Sequence, residues 1–275
     1  MFRAIAGFRL VTAEPEMLAG FYQAIGFVAG ASAPICAAEM ALLALAGGGW
    51  RRPLTLGKSS LDLEWFELSG NPYPDHANGS DLIFQHLALV TDNAHSAWQA
   101  ARNAGATPIT RGQPVTLPPS SGSVTAVKFR DPEGHPLELI QFPTGTNPEW
   151  QGRGVMGIDH SAISTADLAS SQRFYEAHGL TVGKRSLNQG PTQVALDGLD
   201  GVEVDVQPMY PSAKPPHVEL LGYRQPVGRP HKPLAANDVA ATRIIWSSDR
   251  DALVRDPDGH LMQLMRQDRS PANTE

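Results

Sequence analysis

The sequence predicts an α+β fold made of repeated strand–helix–strand modules, paired into two domains. Three observations carry this. The stretch VKFRDPEGHPLELIQF at 127–142 returns as LVRDPDGHLMQLMR at 253–266. The connector GNPYPDHANGSD at 70–81 is echoed by GRPHKPLAAND at 228–238. Between these landmarks, apolar residues switch from period two to helical spacing and back.

The repeated stretch sets the reading of its neighbours. Proline fixes φ at the second turn position, and glycine supplies the positive φ that closes the turn. The flanking apolar runs then pair as antiparallel strands. Beyond the turn, side chains alternate between faces, so Pro136, Glu138 and Ile140 share one face and Leu137, Leu139 and Gln141 the other. Glu138 is thus a carboxylate in mid-strand, where strand packing has no use for it. Gln263 holds the matching place in the second copy: it follows Asp256 by seven residues, as Glu138 follows Asp131.

The elements follow in order. Residues 4–12 read as a strand, and Glu14-Pro15 open a helix with an apolar stripe of Met17, Leu18, Phe21, Tyr22 and Ile25. A short strand is expected near Phe27-Val28. A short helix at 36–46, with Cys36 a buried small residue, stops at Gly47-Gly48-Gly49, and strands follow at 53–57 and 61–68. After the loop at 69–80 comes a strand at 82–90, with Phe84, His86 and Ala88 on one face. Asp92 is the expected N-cap of a helix over 93–104. Strands at 107–110 and 124–129 lead into the first hairpin.

Residues 143–154 read as an inter-domain linker. The order then restarts with a strand at 157–165 carrying His160 and a helix at 166–178 with His178 at its end. Strands are expected at 180–184, 192–196, 201–207 and 217–223. In the last module, IIWSSDRDALVRDPDGH runs directly from strand to hairpin, so no helix is expected there. The modules are 2–68 and 80–143 in a first domain (1–143), then 155–223 and 236–268 in a second (155–268), with a tail at 269–275.

Composition narrows the function. The formal net charge is −6 with no Lys/Arg run, which argues against nucleic acid and anionic membrane as partners. No apolar run reaches transmembrane length, and the N-terminus reads as a strand rather than a signal peptide. Cys36 is the only cysteine, which excludes an intrachain disulfide and thiolate metal clusters and fits a reducing cytoplasm. There is no Gly-x-Ser-x-Gly elbow and no phosphate-binding glycine loop.

Two pairs of segments, QHLALVTDN (85–93) with FRDPEGHPLELIQF (129–142) and IDHSAISTADLASSQRFYEAHGL (158–180) with HVELLGY (217–223), resemble the vicinal oxygen chelate superfamily. This is the glyoxalase, bleomycin-resistance and extradiol dioxygenase group. The resemblance implies paired modules whose mixed sheets curl into cups, with metal ligands on the first and last strand of each module. By it, His86 and Glu138 are ligands in the first cup, and His160 and Glu219 occupy ligand places in the second. Phe8 stands where the first module would supply a ligand. Asp62 and Glu64, on the module's last strand, are then candidates for a third ligand or a general base. Arg243 and Gln263 fall at the ligand places of the fourth module. An arginine cannot be deprotonated and repels a cation. So the second cup is expected to be metal-free, with Arg243 pairing Glu219 or binding an anionic group of a substrate. Trp65 is a candidate wall of the substrate pocket.

The implied cofactor is a divalent ion, Zn, Fe, Ni or Mn, since imidazole and carboxylate suit all four. The implied activity is Lewis-acid stabilisation of an enediolate-like anion of a small oxygen-bearing substrate. With only one imidazole in the first cup, ring cleavage by a two-His, one-carboxylate dioxygenase fits less well than a glyoxalase-type reaction. The alternative is a metal-free binding protein for a drug-like or aromatic molecule. Read alone, a histidine placed like His86 on an apolar strand is more often a satisfied core residue than a ligand. His217, two residues from Glu219, fits either the cup or the surface, and His135 and His260 read as turn residues. The helix-less fourth module leaves a sheet face to be covered by the first domain or by a second subunit of a homodimer.

Overall fold

The first module comprises β1 (Ala4–Val11), α1 (Pro15–Ala24), β2 (Val28–Ala29), β3 (Ala33–Pro34), α2 (Ala37–Leu42), β4 (Gly49–Leu56) and β5 (Ser59–Phe66). The second has β6 (Gln85–Thr91), α3 (Ala94–Asn103), β7 (Thr107–Pro108), β8 (Val115–Thr116), a 3-10 turn at 119–121, β9 (Thr125–Arg130) and β10 (Pro136–Gln141). The third has β11 (Val155–Ser164), α4 (Leu168–Ala177), β12 (Thr181–Val182), β13 (Ser186–Gln189), α5 (Pro191–Asp197), β14 (Glu203–Tyr210) and β15 (His217–Gln225). The fourth is β16 (Arg243–Ser248), β17 (Ala252–Arg255) and β18 (Leu261–Arg266), with no helix between its strands. This computed structural model describes residues 1–213 and 215–266, so the expected tail at 269–275 lies outside it.

Several local expectations change. Residues 192–196 lie in helix α5 instead of a strand: Pro191 opens it and Gly198, at φ 66°, closes it. Asn93, one residue past Asp92, caps α3 by accepting from the Ser96 backbone N–H. Cys36 is exposed, preceding α2 in extended backbone.

The larger change is in how modules pair. In every module the first strand runs parallel to the last: β1 with β5, β6 with β10, β11 with β15, β16 with β18. Two mixed sheets result, as expected. They do not divide the chain at the linker, however. β1 pairs antiparallel with β16, joining the first and fourth modules in one sheet. β6 pairs antiparallel with β11, joining the second and third modules in the other. The expectation of one cup from each half of the chain is therefore corrected. First-strand edges pair wherever the backbone donors and acceptors match, and sequence adjacency does not choose between the two arrangements.

The repeated turns fasten modules across the sheets. Asp131 accepts from the backbone N–H groups of Glu133 and His135, both at 3.0 Å, and Asp256 does the same for Asp258 at 3.0 Å and His260 at 2.9 Å. Gly134 and Gly259 take the positive φ that the turn requires, 99° and 97°. Each turn docks on the helix of the preceding module: the Tyr22 hydroxyl of α1 donates to Asp131 at 3.1 Å, and the Tyr175 hydroxyl of α4 to Asp256 at 3.3 Å. The acidic residue of each turn receives the chain entering that helix. Glu133 accepts from the Ala13 N–H at 2.7 Å and Asp258 from the Ala166 N–H at 3.2 Å. His135 and His260 reach the backbone carbonyls of Val11 and Ser164, at 3.0 and 3.2 Å, and are turn residues as expected.

The main core joins the helix-facing sides of both sheets and includes Phe8, Tyr22, Leu87, Trp98, Leu139, Tyr175, Ile244 and Trp246. The face left bare by the missing fourth helix is covered from within the chain. Phe2 stacks between Trp246 at 4.6 Å and His178 at 4.5 Å, and Trp246 is fully buried.

Candidate metal centre

The sheet of the second and third modules forms a cup with a cavity of about 530 Å³. Its strands present His86 from β6, Lys128 from β9, Glu138 from β10, His160 from β11 and Glu219 from β15. All five are on the face away from the core, opposite in strand parity to the buried Leu87, Val127, Leu137, Ile163 and Val218 of the same strands.

Three of these, His86, Glu138 and His160, converge, and Glu219 adjoins them through His160. His86 Nε2 lies 3.1 Å from Glu138 Oε2. His160 Nε2 lies 3.7 Å from the same oxygen and 3.5 Å from Glu219 Oε2. The donor atoms of His86, Glu138 and His160 all fall within 4.8 Å of one another. The two pairs that the sequence assigns to separate cups thus meet in one. The cup lining holds the imidazoles of both His86 and His160, where the sequence offers one to each cup, and three carboxylates, Glu138, Asp159 and Glu219.

The donor set fits a divalent ion. The Nδ1 of His160 faces Asp159 Oδ2 at 3.0 Å, which orients the ring with Nε2 toward Glu138 and Glu219. That buried Nε2 makes no hydrogen bond of its own. Asp159 is itself held by the Trp150 indole N–H at 3.0 Å. Burial lowers the His86 pKa, and the Lys128 and His160 charges add to this against Glu138, which favours the neutral form that metal ligation requires. Burial works against a charged Glu138, but Lys128 and the two imidazoles outweigh it and hold the carboxyl well below its usual range. For His160, burial is overcome by Glu219, Asp159 and Glu138, and the pKa rises well above the ordinary value. Glu219, Asp159 and Glu138 together thus favour positive charge at the His160 ring.

Sequence patterns point to neither Asp159 nor Lys128 at this site, and they leave His217 between the cup and the surface. A register shift in β11 between Ile158 and His160 brings Asp159 beside His160, and no sequence pattern marks that bulge. His217 joins the cup, with Nε2 3.6 Å from Glu219 Oε1 and its ring 5.3 Å from that of His160. Lys128 lies directly across from Glu138 in the β9–β10 pairing, which counting outward from the first hairpin would have shown.

The sheet of the first and fourth modules is built differently. Phe8 is buried in the core on the opposite face, so it does not occupy a ligand place. The register puts Gly7 and Arg9 on the inward side of β1, with Arg9 opposite Arg243. Asp62 and Glu64 lie in this sheet, apart from His86, as a consequence of the module pairing. Glu64 accepts from Arg51 at 2.6 and 2.8 Å and from Arg243; Arg9 pairs with Glu39 and lies 3.5 Å from Asp62. Gln263 donates to Glu39 at 2.6 Å. Three guanidinium groups thus meet three carboxylates, and the ligand places are filled by ion pairs. Arg243 pairs with Glu64, not with Glu219, and Trp65 stacks near Trp50 at 6.3 Å, outside the lining of the large cavity.

The fold is that of the vicinal oxygen chelate proteins. The chain superposes on glyoxalase I from Zea mays with a TM-score of 0.62 at 14% identity, over 95% of this chain and 92% of that one. The V278E mutant of the same maize enzyme gives 0.62 at 13% identity, over 95% and 92%. A candidate dioxygenase from Bacillus subtilis gives 0.58 at 11% identity, over 98% of this chain and 86% of that one. No protein-family model matches the sequence, and no curated protein matches it. Among the described residues no helix is long and apolar enough to cross a membrane.

Proposed function

We propose that the chain is a divalent-metal-dependent enzyme of the glyoxalase type, acting on a small oxygen-bearing substrate in the cup of the second and third modules. The observation that carries this is the convergence of His86, Glu138 and His160 from three strands, with Glu219 of a fourth strand 3.5 Å from the His160 Nε2. These four residues would hold the ion. Such an ion would supply Lewis acidity that lowers the cost of negative charge on the oxygens of a bound substrate.

The protein groups divide the remaining work. Asp159 orients His160. Glu138, tied to Lys128 by charge and to both imidazoles, is a poor proton acceptor. Glu219 is more open, with its side chain 21% exposed against 8% for Glu138, and is the carboxylate placed to accept a proton from a bound substrate. The apolar wall of Val124, Ile140, Leu187, Val206 and Leu221 excludes water from that transfer. The second carboxylate favours this reading over ring cleavage, for which two imidazoles and one carboxylate suffice.

Metal analysis of protein purified without added metal tests the reading. About one ion per chain is expected, lost in both His86→Ala and His160→Ala. Folded protein without metal, which still takes up none when Zn, Fe, Ni and Mn are supplied, would show a metal-free binding protein instead.

A further inference from the structure

We propose that Lys128 is a binding residue for an anionic oxygen group of the substrate, so that the substrate of this cup is a small carboxylic acid with an apolar body. The inference deepens the function proposed above and rests on that reading of the cup as the substrate site.

The position of Lys128 is the first argument. Its side chain is 7% exposed and lines the cavity beside the four candidate ligands. Burying an ammonium is costly unless it is paired. Here Nζ donates to Asp197 Oδ1 at 2.6 Å. Asp197 in turn accepts from Gln193 Nε2 at 2.8 Å and from the Tyr223 hydroxyl at 3.0 Å. The lysine is therefore a fixed cation, held from behind by a carboxylate that does not line the cavity. An ammonium has three N–H donors, and one is used on Asp197.

The repeat supplies the second argument. The residue facing the last-strand ligand place is Lys128 in the second module, Pro53 in the first, Pro208 in the third and Leu253 in the fourth. Three modules build the same strand pair with an uncharged residue there, so the fold does not require the cation.

The third argument is charge. The lining carries Lys128, Lys184 and Arg185 against Glu138, Asp159 and Glu219. Three cations balance three carboxylates, so a divalent ion makes the lining net positive by two, and Asp197 behind it returns one. An anion of one negative charge neutralises what is left. Lys128 is the buried one of the three cations, with Lys184 and Arg185 exposed, and a charge-assisted hydrogen bond is stronger away from water.

Calorimetric titration of the metal-loaded protein with phenylacetate and its neutral isostere phenylacetamide tests this. The acid is expected to bind about tenfold tighter than the amide, a preference one charge-assisted hydrogen bond supports. Lys128→Arg keeps the preference, and Lys128→Met reduces it to within about twofold. Because Lys128→Met leaves Asp197 unpaired and can fail to fold, Lys128→Met with Asp197→Asn is measured beside it, with the same loss expected. Equal binding of acid and amide by the wild type, no binding of the acid, or an undiminished preference in the folded methionine variants overturns the proposal. Metal content of the same samples separates the two readings. A Lys128-dependent preference without bound metal supports the anion site while the metal reading falls. Stoichiometric metal with no preference for the acid does the reverse.

Discussion

His86 and His160 lie diagonally across the β6–β11 pairing, each opposite an alanine of the other strand, with their ring centroids 5.7 Å apart and Glu138 within reach of both. One belongs to each half of the chain. A metal ion bound between them would therefore cross-link the halves, and its loss would loosen their junction.

Thermal stability is expected to depend on metal for this reason. An ion at about 100 times its Kd adds about 2.7 kcal/mol to the folded state. The melting temperature should rise with added metal, fall with chelator, and lose this dependence in His86→Ala. A melting temperature indifferent to both metal and chelator would contradict the cross-link.

Arg243 lies in the other sheet, so Arg243→Met should leave metal content unchanged. It should still destabilise the protein, by about 3 kcal/mol, because a buried carboxylate loses a partner. The cost sits at the low end of the usual range because Glu64 keeps Arg51. Denaturant unfolding measures the loss; an unchanged midpoint would show that the three-arginine network carries no stability.

The same network sets an acid limit. Burial pushes the Glu39 pKa up, but Arg9, Arg51 and Gln263 outweigh it and lower it from 4.5 to about 2. A carboxylate depressed in the folded state stabilises above its unfolded pKa, and that contribution fades as pH falls through the folded value. Unfolding free energy should therefore drop between pH 4.5 and about 2, and less steeply in Glu39→Gln. Parallel slopes for the two proteins would remove Glu39 from the account.

The turn contacts are testable in parallel. Tyr22→Phe and Tyr175→Phe each delete one buried hydroxyl–carboxylate hydrogen bond and should cost about 1 kcal/mol. If either variant unfolds at the wild-type denaturant concentration, that hydroxyl contributes nothing to docking its turn.

Sequence alone determined the module and the facing of its strands. The Asp-Pro-acidic-Gly-His turn fixes where a hairpin closes, and the period of two then assigns Glu138 and Gln263 to the inward face without reference to the rest of the chain. For the same reason His86, His160 and Glu219 could be named as site candidates from their strands. The parity of β1 was misjudged by one residue, because Phe8 and Arg9 both suit a half-buried strand and only packing shows which side is core.

Tertiary structure decided which modules share a cup. That choice is made by hydrogen bonding between the first strands of distant modules, β6 with β11 and β1 with β16. Backbone donors and acceptors are chemically alike in all four strands, so the choice rests on side-chain packing between distant segments, which no local sequence pattern displays. It gathers two half-sites into one centre and sends Asp62 and Glu64 to a sheet where arginines claim them.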